Sequence, residues 1–189
     1  MESAAHSHLS ADNYLTSEQA GEVRHEYIGG VVYAMAGASE EHGLISGNLY
    51  VALRQHLGAG PCKTFIADMK VRLEIARDDI FYYPDVLVTC DPADTHRFYK
   101  TRPVFIAEVL SPETERYDRR EKFLSYIRLP SLNEYLLISQ SEPLATLFRR
   151  DRAWEPEHLH PGQELILPSL DFRMPVAALF AGVSLPSTG

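Results

Sequence analysis

Two apolar runs, 80–90 (IFYYPDVLVTC) and 104–110 (VFIAEVL), constrain this chain more than any other feature. Each is apolar at nearly every position, yet each carries one carboxylate, Asp85 and Glu108. Runs that are apolar on both sides belong in the middle of a sheet covered on both faces. A carboxylate in such a place is costly unless a cation or a donor compensates it. The pattern therefore predicts one strand over 80–90 and another over 104–110. If these strands are neighbours, the two side chains can meet on one face at about 5 Å. That pair is read as a site for Mg2+ (or Mn2+), which takes one or two carboxylates and completes its shell with water and substrate phosphates.

The remaining chain reads as a scaffold for that pair. Short helical turns are expected over 10–23, with Thr16 or Ser17 as cap. Gly29-Gly30 between Ile28 and Val31 predicts a tight hairpin over 25–35. A long helix is expected over 39–57, capped by Ser39, with Ile45, Leu49, Ala52, Leu53 and His56 on its core face and Gly58 ending it. Residues 62–75 alternate with period two and predict a single strand with one polar side, carrying Asp68 and Lys70. After a polar loop over 91–102 and the strand at 104–110, a second helix is expected over 115–129, with Phe123, Leu124 and Ile127 as its core stripe. Lys122 lies outside that stripe and shares a helix edge with Arg119 and Tyr126. Strands over 134–139, 144–150 and 163–167 and a short helix over 175–180 complete the reading. The fold class is α/β (α+β): a mixed sheet flanked by helices.

With 189 residues the chain fits one domain over 13–185 after a flexible tail at 1–12. No apolar run approaches the ~20 residues of a membrane span, and the N-terminus lacks a signal-peptide pattern. A cytoplasmic protein is expected. Cys62 and Cys90 lack zinc-site spacing and read as two buried thiols in a reducing compartment. The net charge of −8 weighs against a strong non-specific nucleic-acid binder, while leaving room for a local basic groove.

Several stretches, in this order, resemble a known family: RHEYIGGVVYAMAGASEEHG, YYPDVLVTC, PVFIAEVLSPET, DRREKFLSYIRLPSLNEYLLI and MPVAALF. Together they cover most of 14–180. They resemble the PD-(D/E)XK nuclease superfamily, and within it the bacterial "putative restriction endonuclease" family, formerly a domain of unknown function and expanded in cyanobacteria. The resemblance implies a restriction-endonuclease-like fold with a central mixed sheet. It implies Asp85 and Glu108 as metal ligands. It moves the catalytic lysine to Lys122, because Leu110 occupies the usual place two residues after the acid. It adds Glu26 as a further acidic site residue and His42 as a polar partner.

Blander readings stand beside these. Glu26 can pair with Arg24 or Arg72, and His42 can be an ordinary helix histidine. Asp68 and Lys70 can form a cross-strand ion pair. His158 and His160 read as loop residues. Arg149, Arg150 and Arg152 read as charges that block a sheet edge. Arg116, Arg119, Arg120 and Arg128 make either a DNA-backbone patch or a solvated face. The function expected is a Mg2+-dependent DNA endonuclease, acting as a homodimer so that both strands are cut. The rival is a nuclease-fold module without turnover. No GxSxG elbow, Walker loop or HExxH helix supports another hydrolase class.

Overall fold

Ser10 opens the first helix: its hydroxyl accepts the Asn13 N–H at 3.3 Å, and α1 runs Ala11–Ala20. Thr16 and Ser17, expected as caps, lie inside α1, where their hydroxyls donate back to Asp12 O and Tyr14 O. The computed structural model describes residues 9–35, 37–111 and 118–184. The first eight residues of the expected tail lie outside these. The last four are not a tail, since Leu9 N–H donates to Gly30 O and Ala11 begins a helix.

β1 (His25–Ile28) and β2 (Val31–Ala34) form the expected hairpin. Gly29 and Gly30 both have positive φ, 52° and 97°, which a tight two-residue turn needs and only glycine adopts freely. α2 (Glu40–Leu57) is capped by Ser39 and carries Glu40 and Glu41 in its first turn, where the helix dipole favours them. Ile45, Leu49 and Leu53 are its buried face, and His56 stays exposed.

The two long strands expected over 62–75 and 80–90 are each broken in two. The first becomes β3 (Lys63–Ile66) and β4 (Lys70–Ile75); the second becomes β5 (Asp78–Tyr82) and β6 (Val86–Thr89). β4 pairs with β5 in one sheet, while β3 pairs with β6 in another. Ala67, at φ 56°, breaks the first strand, and Pro84, which has no N–H to give to a ladder, breaks the second. Ala67 N–H donates to Asp85 O at 2.9 Å across the break. The result is one long hairpin folded at its waist, with Asp85 at the fold.

β7 (Tyr99–Lys100) is a short strand inside the expected loop and lies parallel to β4. β8 (Pro103–Leu110) is followed by a π-helical turn, Asp118–Lys122, that runs into α3 (Phe123–Tyr126). Residues 112–117, which include the first three of the expected second helix, lie outside the described residues. β9 (Glu134–Ser139) then pairs parallel to β8, and β10 (Ala145–Arg149) and β11 (Pro156–Leu159) continue antiparallel. β12 (Glu164–Leu167) and β13 (Phe172–Pro175) form a separate hairpin, and α4 (Val176–Leu179) follows with Pro175 at its N-cap.

The five-stranded sheet has the order β2-β1-β5-β4-β7 and the six-stranded sheet β11-β10-β9-β8-β6-β3. The central strands of the larger sheet are covered on both faces. Val86, Val88, Ala107, Val109 and Leu136 pack toward Ile45 and Leu49 of α2. Leu87, Ile106, Leu110 and Leu137 pack toward Tyr126 and toward Val71 and Tyr82 of the smaller sheet. A third cluster, Tyr14, Tyr27 and Phe81, seats α1 on the far side of the smaller sheet. The expected α/β (α+β) architecture, a mixed sheet flanked by helices, is what forms.

Cys62 and Cys90 are not free thiols. They lie just beyond the Lys63↔Thr89 pair of β3 and β6 and form a disulfide. The argument for a reducing compartment loses its support with them. No helix among the described residues is long and apolar enough to cross a membrane.

Candidate active site

β8 alternates Phe105, Ala107 and Val109 toward α2 with Ile106, Glu108 and Leu110 toward α3 and the smaller sheet. Glu108 is thereby buried, with 3% of its side chain exposed. Its Oε1 accepts from Tyr126 OH at 3.0 Å and from Lys122 Nζ at 3.3 Å. Its Oε2 lies 3.4 Å from Asp85 N. Burial first, and then the Glu108 charge, hold the Tyr126 phenol far above its ordinary pKa, so it acts there as a donor.

Asp85 enters from the waist of the folded hairpin. The β6–β8 ladder ends at Val86↔Ala107, and beyond it Val109 N–H donates to Asp85 Oδ2 at 2.7 Å. Asp85 thus takes up a main-chain donor where β6 stops, as buried backbone requires. Its Oδ1 is 2.8 Å from His42 Nε2, on the first turn of α2. Asp85 and His42 keep 18% and 17% of their side chains exposed, so this edge of the cluster opens to solvent.

Lys122 is buried rather than solvated. Its Nζ lies 2.8 Å from Glu26 Oε1 and 5.7 Å from the centre of the Tyr82 ring. Glu26 sits on β1 and also faces Tyr83 N at 3.4 Å. One ammonium is held between Glu26 and Glu108, with Asp85 beside Glu108. Among the described residues the cluster gathers three carboxylates, with Lys122 against Glu26 and Glu108 and His42 against Asp85.

All six residues singled out from the sequence, Asp85, Glu108, Lys122, Glu26, His42 and Tyr126, therefore meet in one cluster. Of the expected helix stripe, Phe123 packs against Tyr135 and Phe148, whereas Leu124 does not turn inward. Leu124 is 49% exposed, while Lys122, Tyr126 and Leu129 turn inward. Tyr82, Tyr83 and Glu18 were not singled out. The alternation that sets Tyr82 opposite Glu26 on one face was the only signal for any of them.

Other candidates fall elsewhere. Glu26 pairs with neither Arg24 nor Arg72, which bind Asp68 and Asp79. Asp68 is on the surface, whereas Lys70 is buried and donates to Tyr83 OH at 2.9 Å, so the two make no ion pair. His158 lies in β11 and meets Thr146, not a loop. Arg149 is buried against Glu157 and Ile166 O, and Arg150 binds Leu132 O and Leu129 O. Since β10 lies inside the sheet, these arginines brace the fold and guard no edge. Arg120 and Arg128 are exposed. Arg116 and the Arg119 side chain lie outside the described residues.

Carboxylate oxygens are the donor type that a hard divalent ion takes. Among the described residues no group of three or more His, Cys, Asp or Glu side chains is placed to hold a metal ion. What the cluster offers is two carboxylates, Asp85 and Glu108, with an open side, and Mg2+ favours such sites because it keeps several waters.

A family model described as "Uma2: Putative restriction endonuclease" matches residues 11–177. Two proteins of Synechocystis sp. are similar along the chain. The uncharacterized protein slr1290 is 35% identical over 179 residues, 93% of this chain and 93% of its own length. The uncharacterized protein sll1609 is 37% identical over 135 residues, 70% of this chain and 75% of its own. The fold is similar to the crystal structure of a "putative nuclease belonging to DUF820" from Anabaena variabilis. That match has a TM-score of 0.70 and 16% identity and covers 87% of this chain and 93% of that one.

Proposed function

The chain belongs to the Uma2 family, described as "Putative restriction endonuclease", and on that premise we propose that it is a Mg2+-dependent endonuclease hydrolysing DNA phosphodiester bonds. The observation that carries the reading is the buried Lys122 ammonium between Glu26 and Glu108, with Asp85 at the open edge of the same cluster.

Asp85 and Glu108 would hold the metal ion. Bound there, the ion would supply an acidified water and offset charge on the phosphate. The chain's own groups have separate tasks. Lys122, fixed by two carboxylates, orients the attacking water or offsets charge gathering on the phosphate oxygens. Glu26 holds Lys122 in place. Tyr126 pins Glu108 Oε1 and so sets the direction of Oε2. His42 holds Asp85 Oδ1. Duplex cleavage on both strands calls for two such sites, so the acting form is a homodimer.

Nicking of supercoiled plasmid with Mg2+ or Mn2+ tests the proposal, with Asp85→Ala as the comparison. Cleavage by the parent chain alone is expected. Cleavage by both proteins would assign it to a contaminant. No cleavage together with no Mn2+ binding would leave a nuclease-fold module without turnover.

A further inference from the structure

Helix α1 reaches the site only from behind. Alternation along β1 and β5 turns Tyr27 and Phe81 toward Tyr14 of α1, and turns Glu26 and Tyr82 toward Lys122. Tyr83 serves both sides of the sheet. Its N–H faces Glu26 Oε1 at 3.4 Å, while its phenol donates to Glu18 Oε1 at 2.8 Å beneath α1. The same phenol oxygen accepts from Lys70 Nζ at 2.9 Å.

Glu18 has 4% of its side chain exposed. Its Oε1 also accepts the His25 N–H at 2.8 Å, and its Oε2 lies 3.3 Å from His25 Nδ1. Tyr14 of the same helix donates its hydroxyl to His25 O at 2.6 Å. One buried carboxylate thus ties together the start of β1, the residue after β5 and, through Tyr83, the start of β4. The last two flank the waist of the folded hairpin: Lys70 follows the break at Ala67, and Tyr83 comes two residues before Asp85. An apolar side chain would fill that space without the cost of dehydrating a charge. What it would not supply is direction, because only a fixed acceptor holds two donors from different strands at set positions.

We propose that Glu18 is a positioning residue for the candidate site, fixing from behind the sheet the corner that presents Asp85 and Glu26. Its consequence for cleavage rests on the function proposed above; its consequence for geometry does not. Val109 N–H reports on that geometry directly, because its acceptor is Asp85 Oδ2.

Hydrogen exchange is measured on the full chain for Val109 and, as a reference in the central strand β9, for Leu136 and Ile138. Glu18→Ala and Tyr83→Phe should speed exchange at Val109 about tenfold and leave the reference amides within about twofold, the pattern of a local opening. Glu18→Gln, whose amide oxygen still accepts from His25 and Tyr83, should stay near the parent value. If the parent cuts DNA, Glu18→Ala should lower kcat about ten- to a hundredfold with KM for plasmid unchanged, as expected for small displacements of reacting groups. An equal rise at all three amides would make Glu18 a mere stability residue, and no rise at Val109 would leave the corner fixed without it; either result overturns the proposal. A parent without nuclease activity would defeat the functional reading and leave the exchange result to stand by itself.

Discussion

Lys122 Nζ lies 2.8 Å from Glu26 Oε1, so a lysine on the helical turn after β8 answers a carboxylate from the first hairpin. Both side chains are almost wholly buried, at 8% and 10% exposure. Burying such a pair brings little net stability, but removing one member leaves a charge without its partner in a place water hardly reaches. Lys122→Met should therefore cost about 3–5 kcal/mol in urea unfolding. Adding Glu26→Gln to Lys122→Met should return part of that loss, because one stranded carboxylate becomes neutral. Loss of the same size with and without Glu26→Gln would mean that the ammonium is not what Glu26 needs.

The reading of Asp85 and Glu108 as metal ligands predicts that a divalent ion stabilises the folded chain. A ligand that binds only the folded state adds about 2.7 kcal/mol at a hundred times its Kd. Calorimetric scans with and without Mn2+ should show a higher Tm with the ion. Asp85→Asn and Glu108→Gln should each abolish the increment. An increment that survives in both variants would place the ion elsewhere.

The carboxylates of this site were legible in the sequence because they break apolar runs, and an acid in VFIAEVL has no local capping task to explain it. The way Lys122 points was not legible. A helical wheel drawn through Phe123, Leu124 and Ile127 assumes a steady period of 3.6. Lys122 and Tyr126 lie four residues apart on one face, and their inward direction is fixed by polar partners on strands, Glu26 and Glu108, that an apolar count along the helix does not register. The folding of the long hairpin was hidden as well. Alternation along 62–75 stays in step through Ala67, and only Pro84 in the partner strand hinted that a ladder ends there. The link between Cys62 and Cys90 depends on the register of β3 on β6, which no local pattern reveals. Glu18 was hidden because its partners come from β1 and from the end of β5, which meet only in the folded sheet.

Glu134 carries a pH dependence that lies away from the site. It is 3% exposed at the start of β9 and accepts from Ser169 N–H at 3.1 Å and from the Ser169 hydroxyl. Burial raises its pKa above the ordinary Glu value, against the two Ser169 donors, which pull it down. Over the interval between the unfolded and the folded value, the folded chain binds more protons than the unfolded one. Stability is then greatest below that interval and falls as pH rises through it. Glu134→Gln keeps an acceptor for the Ser169 N–H and has no such slope. Urea unfolding from about pH 4 to about pH 7 should show the variant gaining on the parent as pH rises, starting from the ordinary Glu range. A constant difference across that span would show that the carboxyl titrates alike in both states.

The disulfide predicts how the outer edge of the larger sheet responds to reduction. β3 is the last strand of that sheet, held on one side only by β6, and Cys62–Cys90 closes the chain just past their final pair across a sequence separation of 28. Closing a loop of this length removes entropy from the unfolded chain worth about 3–4 kcal/mol. Cys62→Ser combined with Cys90→Ser should lower stability by that order, and reductant should lower the parent to the same level while leaving the double variant unchanged. The β3–β6 pairing also carries Ala67, whose N–H holds Asp85 O at 2.9 Å, so opening from this edge travels toward the waist of the hairpin. Exchange at the Ala67 amide should therefore rise on reduction before that of Leu136 in β9. A parent chain whose urea midpoint ignores reductant, with both thiols shown to be free after treatment, would remove the bond from the forces that hold this edge.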